Sequence, residues 1–155
     1  MINIIGLCGP MGVGKSTYAR KIAEERDGVV YSFADTLKEM LAVLVGRHPV
    51  YENKSHPIEW LGGVTGRSLL QSLGTEWGRN MVGSDIWVQA LENKFQSSYA
   101  PLRLIDDLRF ENEAHMVRRL GGEVWLVKRD GIEYTNEHSS ETPLPDHLID
   151  KVVEL

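Results

Sequence analysis

The sequence predicts an α/β fold in which a five-stranded parallel sheet lies between layers of helices. Short apolar runs alternate along the chain with segments of helical periodicity, and turn residues separate the two. Strands that are joined through helices take right-handed crossovers and therefore run parallel. With 155 residues, 42% of them hydrophobic, the chain can bury one sizeable core and has little left for a second. We therefore expect a single domain over 1–155.

The individual elements follow from apolar runs and their boundaries. The first run, 2–7, is apolar except at Asn3 and Gly6, which is typical of a strand covered on both faces. A helix is predicted after Gly14, where Ala19 and Ile22 recur at helical spacing. The remaining elements are predicted as strands at 29–33, 102–106, 124–127 and 148–154, and as helices at 36–45 and 111–120.

Composition and charge exclude several function classes. The formal net charge of -5 and the isoelectric point near 5.5 provide no general attraction to nucleic acid or to an anionic membrane. Any basic site must then be a local pocket. The only cysteine, Cys8, cannot form an internal disulfide, and no signal peptide or long apolar span precedes it. We expect a cytoplasmic protein without nucleic-acid or membrane partners, in which Cys8 is a small buried residue rather than a nucleophile.

The segment GLCGPMGVGKST, 6–17, fits the phosphate-loop pattern Gly-x-x-x-x-Gly-Lys-Ser/Thr. In this motif glycines let successive backbone N–H groups surround phosphate oxygens at a helix N-terminus. Lys15 is expected to bridge the terminal phosphates, and the Ser16 hydroxyl to ligate Mg²⁺. The strand before it and the helix after it are the context that the motif requires. The predicted phosphate-binding residues are Gly9, Met11, Gly12, Val13, Gly14, Lys15, Ser16 and Thr17.

The segment RSLLQSLGTEWGR, 67–79, is a candidate for a second pocket. On a wheel of 100° per residue, Arg67, Gln71, Gly74 and Gly78 fall within roughly 60° of one another, and the larger apolar residues gather on another side. Such a face can admit a ligand close to the backbone and hydrogen-bond it. Glycine in a helix interior costs about 0.5–1 kcal/mol, which favours a reason such as close approach. The alternative is an ordinary amphipathic helix with a solvated arginine and glutamine.

Two further segments carry candidate charges. In DDLRF, Asp106 and Asp107 compete to hold Mg²⁺ through water at the end of a strand, and Arg109 can reach an acceptor phosphate. Arg109 can instead form a structural ion pair. After the fourth strand, Lys128 and Arg129 lead into a polar stretch of lid-like composition, and a lid arginine neutralises charge on a transferring phosphoryl group. A solvated charge run is the alternative there.

Together these residues carry a resemblance to a known family. The chain resembles the bacteriophage-type deoxynucleoside monophosphate kinases of the adenylate-kinase-like group, in order from residue 2 to about 150. The phosphate loop is shared by many enzymes, whereas the segments at 67–79 and 107–114 are much more specific. The matching motifs are FADTLK at 33–38, RSLLQSLGTEWGR at 67–79, DIWV at 85–88, DLRFENEA at 107–114 and HSSE at 138–141.

The resemblance implies a three-layer P-loop NTPase fold with an acceptor-binding helical insert at about 34–98 and a short lid at about 129–145. It implies transfer of the γ-phosphoryl group of ATP, with Mg²⁺, to a deoxynucleoside monophosphate in a bacterial or phage-infected cell. It assigns catalysis to Lys15, Arg109 and Arg129, and the metal to Ser16 and Asp107. The implied acceptor-binding residues are Asp35, Lys38, Arg67, Gln71, Arg79, Arg109, His138 and Glu141.

Several alternatives stay open at the level of sequence. Structural roles compete with binding for Asp35, His138 and Glu141. The segment 46–66 is loop-like, either an acceptor-binding flap or disordered. Members of the family usually continue into a C-terminal helix that is absent here, which leaves a homodimer open. The rival functions are another small-molecule P-loop kinase, similar to a dephospho-coenzyme-A kinase, and a non-catalytic nucleotide-binding module.

Overall fold

The computed structural model describes residues 3–135 and 142–155. The chain divides into two compact units, of which the first comprises Met1–Ser32 and Ser97–Leu155 and the second Phe33–Gln96. The prediction of a single domain over 1–155 stays a prediction. Among the described residues, no helix has both the length and the apolar character that crossing a bilayer requires.

The elements alternate between strand and helix in the first unit and are mostly helical in the second. The α-helices are α1 (Lys15–Arg26), α2 (Asp35–Val45), α3 (Gly66–Gln71), α4 (Ile86–Gln96) and α5 (Glu111–Arg119). The strands are β1 (Ile4–Cys8), β2 (Gly28–Tyr31), β3 (Pro57–Ile58), β4 (Val64–Thr65), β5 (Leu102–Ile105), β6 (Glu123–Lys128) and β7 (Lys151–Glu154). Within 3–135 and 142–155, the segments His48–Glu52 and Ser72–Val82 wind as π-helices, and Glu59–Leu61 and Asp146–Leu148 wind as 3₁₀-helices.

The sheet of the first unit has the strand order β2-β5-β1-β6-β7, and every neighbouring pair is parallel. Ile5 and Leu7 of β1 pack into one cluster with Ile22 of α1. Gly6 points to the other face, where an added Cβ would lie 3.2 Å from Val117 of α5. Because side chains alternate along a strand, α1 and α5 cover opposite faces of the sheet. The predicted α/β fold with a five-stranded parallel sheet between helices is confirmed.

Some predicted boundaries are wrong. Strand β2 ends at Tyr31 rather than at residue 33, because Phe33 is buried in the second unit. Strand β7 begins at Lys151 rather than at residue 148, because Leu148 is buried at the end of a 3₁₀-helix that precedes the strand. An apolar residue next to a strand can thus be buried by contacts that are not part of the sheet.

The second unit packs its helices around a small apolar core of Leu37, Leu41, Val50 and Trp87. Of the two alternatives for 46–66, disorder is wrong, because this segment contains a π-helical turn and the antiparallel pair β3–β4, whereas the acceptor-binding flap stays a prediction. Val50 is completely buried, and a Cβ on Gly66 would overlap the carbonyl of Pro49. Such tight packing of backbone on backbone holds the segment in place.

The wheel prediction for 67–79 is also wrong. Helix α3 ends at Gln71, and the chain continues in π-helical winding, whose i→i+5 hydrogen bonds make a wider turn than 100° per residue assumes. Arg67 and Gln71 are exposed, whereas Gly74 and Gly78 are buried. The Trp87 indole N–H donates to the Gly74 carbonyl at 2.8 Å. At Gly78 the close approach is made by Trp87 of α4, because an added Cβ would lie 2.7 Å from its Cζ2, whereas at Gly74 an added Cβ would lie 3.4 Å from Leu37.

Candidate functional site

The carboxyl edge of the parallel sheet brings three of the predicted segments together. Strand β1 lies in the centre, with β5 on one side and β6 on the other. The phosphate loop follows β1, Asp106 follows β5 and Arg129 follows β6. Parallel strands place their carboxyl ends at the same edge, and in open α/β sheets ligands bind in the crevice outside it. The topology thus makes this edge the candidate site of the first unit.

The phosphate loop occupies residues 9–14, between β1 and α1. Its glycines take the left-handed φ values that residues with a Cβ rarely adopt: 147° at Gly9, 78° at Gly12 and 104° at Gly14. Gly14 is the N-cap of α1, and within the described part of the chain no side chain caps this helix. The first turn of α1 also lacks an acidic residue. Its uncapped N–H groups and positive dipole end suit a phosphate group.

Lys15, the first residue of α1, folds its side chain back across the loop. Its Nζ donates to the Gly9 carbonyl at 2.8 Å and to the Pro10 carbonyl at 3.1 Å. The ammonium group is thereby held above the loop, where a phosphate would meet it. Ser16 and Thr17 are exposed, and Arg20 Nη2 donates to Thr17 Oγ1 at 3.4 Å. Of the other predicted loop residues, Met11 and Gly12 are exposed and Val13 is buried.

Arg129 reaches the same loop from the end of β6. A Cβ built on Gly14 would lie 3.2 Å from Arg129 Nη2. The backbone of Arg129 forms an isolated antiparallel bridge with Ile132, which turns the chain just beyond β6. Its guanidinium group thus adds a second positive charge, beside that of Lys15, where the loop meets α1. Two cations at one phosphate-binding loop can neutralise charge on a polyphosphate.

Asp106 and Asp107 follow β5 and are both half-buried. The Ser32 hydroxyl, at the end of β2, donates to Asp106 Oδ1. Within the described residues, no three His, Cys, Asp or Glu side chains are arranged to hold a metal ion. Mg²⁺ does not require such a cluster, because it keeps several waters and uses one or two protein oxygens together with substrate phosphates. The Ser16 hydroxyl and these carboxylates are oxygen donors of the kind that fits Mg²⁺.

Arg109 is positioned by a buried carboxylate. The backbone N–H groups of Arg109 and Phe110 both donate to Glu113 Oε2, at 2.7 and 3.0 Å, and Glu113 is only 4% exposed. This contact caps the start of α5 and fixes the backbone from which the Arg109 side chain leaves. In the part of the chain that the structure describes, the Arg109 guanidinium takes part in no ion pair within 4.0 Å.

Glu113 and Ser32 are site residues that were not predicted from the sequence. Glu113 had a weak signal, an acidic residue three positions after the residue that precedes a helix. Ser32 had no sequence signal, because its hydrogen bond to Asp106 depends on the pairing of β2 with β5. These two strands are separated by about half of the chain. Sheet order is the information that was lacking.

The remaining candidates lie in the second unit or outside the described residues. Asp35 is the first residue of α2, where the helix dipole favours a carboxylate, and Lys38 is half-buried one turn later. Arg67 and Gln71 are exposed at i and i+4 of α3 and therefore share one face. Arg79 is half-buried in the π-helix. His138 and Glu141, with the central part of the predicted lid, lie outside the described residues.

Cys8 does not contribute a nucleophile to this edge. Burial raises the pKa of its thiol to about 12, against a smaller lowering effect of the Lys15 charge. The thiol lies 3.6 Å from the Trp125 carbonyl and donates to it. At neutral pH the group therefore stays protonated, and its role is to fill space between β1 and β6.

Comparisons with known proteins agree on one family. The family model described as deoxynucleotide monophosphate kinase matches residues 63–154. A protein of Acanthamoeba polyphaga mimivirus, provisionally named a deoxynucleotide monophosphate kinase, is 31% identical over 157 aligned residues, which cover 91% of this chain and 81% of that protein. The deoxynucleoside-5'-monophosphate kinase of Escherichia phage T5 is 36% identical over 93 residues, which cover 56% of this chain and 37% of that protein.

Proposed function

Because the chain belongs to the deoxynucleotide monophosphate kinase family, we propose that it transfers the γ-phosphoryl group of ATP to a deoxynucleoside monophosphate. The observation that carries this proposal is the uncapped start of α1, with Lys15 folded over the loop and Arg129 beside Gly14. We place the reaction in the cytoplasm of a bacterial or phage-infected cell. The absence of a nucleic-acid partner and the homodimer stay predictions.

On the donor side, the backbone N–H groups of residues 9–17 would bind the β- and γ-phosphates of ATP. Lys15 would exchange its two carbonyl partners for phosphate oxygens, because a charge-assisted hydrogen bond is stronger than a neutral one. Ser16 and a carboxylate at the end of β5, Asp106 or Asp107, would hold Mg²⁺, directly or through water. When bound, Mg²⁺ supplies charge neutralisation at the β- and γ-phosphates.

The chemical step does not need a general base. An oxygen of the acceptor monophosphate, which is largely dianionic near neutral pH, forms the new bond to the γ-phosphorus while the bond to the β–γ bridging oxygen breaks. ADP leaves with that oxygen, and the acceptor becomes a diphosphate. The protein supplies positioning and charge: Lys15, Arg109 and Arg129 would neutralise the phosphoryl group in the transition state.

On the acceptor side, we propose that cationic and polar side chains of the second unit bind the monophosphate and its base. Arg67 and Gln71 share an exposed face of α3, and this geometry supports a joint role. Arg109, which the Glu113 carboxylate positions through its backbone, would bind the acceptor phosphate. The roles implied for His138 and Glu141 stay predictions. The proposed acceptor residues of the second unit are Asp35, Lys38, Arg67, Gln71 and Arg79.

A panel of acceptors tests the function. ADP formation from ATP and Mg²⁺ is measured with dAMP, dGMP, dCMP, dTMP, their ribose counterparts, modified pyrimidines and dephospho-coenzyme A. We expect at least one deoxynucleotide to raise the rate far above that without acceptor, because only a filled acceptor pocket places an oxygen in line with the γ-phosphorus. Stimulation by dephospho-coenzyme A alone would indicate the rival kinase. No stimulation by any compound would indicate a non-catalytic module.

Arg67→Ala should act on the acceptor and not on ATP. Loss of one hydrogen-bonded charge should raise the KM of the acceptor by about 10- to 100-fold, and leave the KM of ATP unchanged. Steady-state kinetics with each substrate varied in turn measure both constants. The matched control is Arg47→Ala, which removes the same charge from the same unit, where Arg47 lies over the Tyr51 ring. An effect confined to the KM of ATP would show that α3 does not bind the acceptor.

A further inference from the structure

A hydrogen bond between two strand ends sets the orientation of one carboxylate at the candidate site. Strands β2 and β5 pair in parallel, with Tyr31 opposite Ile105. Ser32 and Asp106, which directly follow these two strands, therefore lie opposite each other. The pairing continues beyond the strands, because the Asp106 N–H donates to the Tyr31 carbonyl at 3.1 Å. The Ser32 hydroxyl then donates to Asp106 Oδ1 across this last rung.

The same register decides which face of the sheet Asp106 occupies. Leu102 and Leu104 of β5 pack with Ile22 of α1. Alternation along the strand places Asp106, two residues after Leu104, on this α1 face. The phosphate loop leads into α1, so Asp106 lies on the face from which the loop residues Lys15 and Ser16 begin.

Asp107 is in a different situation. The chain leaves the regular pairing after Asp106, because the next backbone bond to β1 is from the Leu108 N–H to the Leu7 carbonyl, at 3.2 Å. Leu108 itself is buried on the α5 face, where a Cβ on Gly6 would lie 2.5 Å from its Cδ1. The two aspartates are therefore not equivalent: Asp106 is held by the sheet, and Asp107 lies in the turn towards α5.

We propose that Ser32 is a positioning residue that holds the Asp106 carboxylate toward Mg²⁺ bound with the nucleotide, and that Asp106 rather than Asp107 serves the metal. The hydroxyl engages Oδ1 and so restricts rotation of the carboxylate, which would direct Oδ2 to the metal or to its water. Hydrogen-bond partners behind a metal ligand commonly act in this way. The inference rests on the nucleotide-binding part of the proposed function and not on the transfer of phosphate.

The test is the gain in nucleotide affinity that Mg²⁺ provides. Isothermal titration calorimetry with the non-hydrolysable ATP analogue adenylyl-imidodiphosphate, in the presence of Mg²⁺ and of EDTA, gives this gain as a ratio of dissociation constants. Asp106→Asn should abolish most of the gain, and Ser32→Ala should reduce it by about 10-fold, as for other partners behind a metal ligand. Ser32→Thr, which keeps the hydroxyl, should retain it.

The control is Ser98→Ala, which removes another hydroxyl of the first unit, one that accepts from the Tyr31 hydroxyl at 2.7 Å. A merely structural role of Ser32 would weaken binding with and without Mg²⁺ alike, and would overturn the proposal. The proposal would also be overturned if Asp107→Asn lost the Mg²⁺-dependent gain in affinity while Asp106→Asn kept it. It would likewise be overturned if Mg²⁺ gave the unsubstituted protein no gain in affinity. If the expected pattern appears but no acceptor is phosphorylated, the inference stands and the proposed kinase activity fails.

Discussion

Lys15→Ala is expected to lower kcat for phosphoryl transfer by about 10²–10³-fold, the usual effect of removing one preorganised donor from a developing negative charge. The Lys15 Nζ donates to the Gly9 and Pro10 carbonyls of the loop, at 2.8 and 3.1 Å. Because a hydrogen bond to a charged group contributes about 1.5–3 kcal/mol, the free energy of unfolding should fall by an amount of this order, which leaves the protein folded for the assay. Transfer to the best acceptor of the panel measures kcat, and urea denaturation measures stability.

The control for this variant is Lys21→Ala, which removes the same charge from an exposed position of the same helix. It should leave kcat unchanged, because the charge of a solvated lysine is screened from a site one and a half turns away. Equal losses of activity in the two variants would mean that net charge, rather than the position of Lys15 above the loop, determines the rate. A fully active Lys15→Ala protein would contradict the proposed donor site.

Gly78→Ala is expected to destabilise the protein by about 1–3 kcal/mol, the range for forcing extra volume into a packed core. The new Cβ would lie 2.7 Å from Cζ2 and 2.8 Å from Nε1 of Trp87. Trp87 cannot easily withdraw, because it is buried and its indole N–H donates to the Gly74 carbonyl. Alanine favours helical backbone over glycine by about 1 kcal/mol, which offsets only part of the clash. Urea denaturation measures the loss.

Gly83→Ala is the matched control, because Gly83 ends the same π-helix, has an extended φ of 167° and has nothing within 4 Å of an added Cβ. Its stability should stay within about 0.5 kcal/mol of the unsubstituted protein. If Gly78→Ala were as stable as this control but had a raised acceptor KM, the glycine would face a ligand and the packing account would be wrong. The acceptor KM thus separates the two explanations.

The parallel sheet was predictable because its strands are short apolar runs separated by glycines and helical periodicity, and each of these signals is local. The residue at which β2 ends and the residue at which β7 begins were not predictable in this way. Phe33 is as apolar as a strand residue but is buried in the second unit, and Leu148 is buried at the end of a 3₁₀-helix. The segment 46–66 has a loop-like composition, yet the fit of Gly66 against the Pro49 carbonyl gives it a defined backbone.

The sequence by itself determined the phosphate loop, because three glycines, one lysine and the following helix are contiguous and the left-handed φ values belong to the glycines themselves. It also determined the family, because the motifs lie along the chain in the same order as in that family. Only the tertiary structure decided that Gly78 accommodates Trp87, and that Ser32 and Asp106 lie opposite each other at the ends of β2 and β5. Both relations join residues distant in sequence, and the packing of helices and the order of strands that bring them together leave no local pattern.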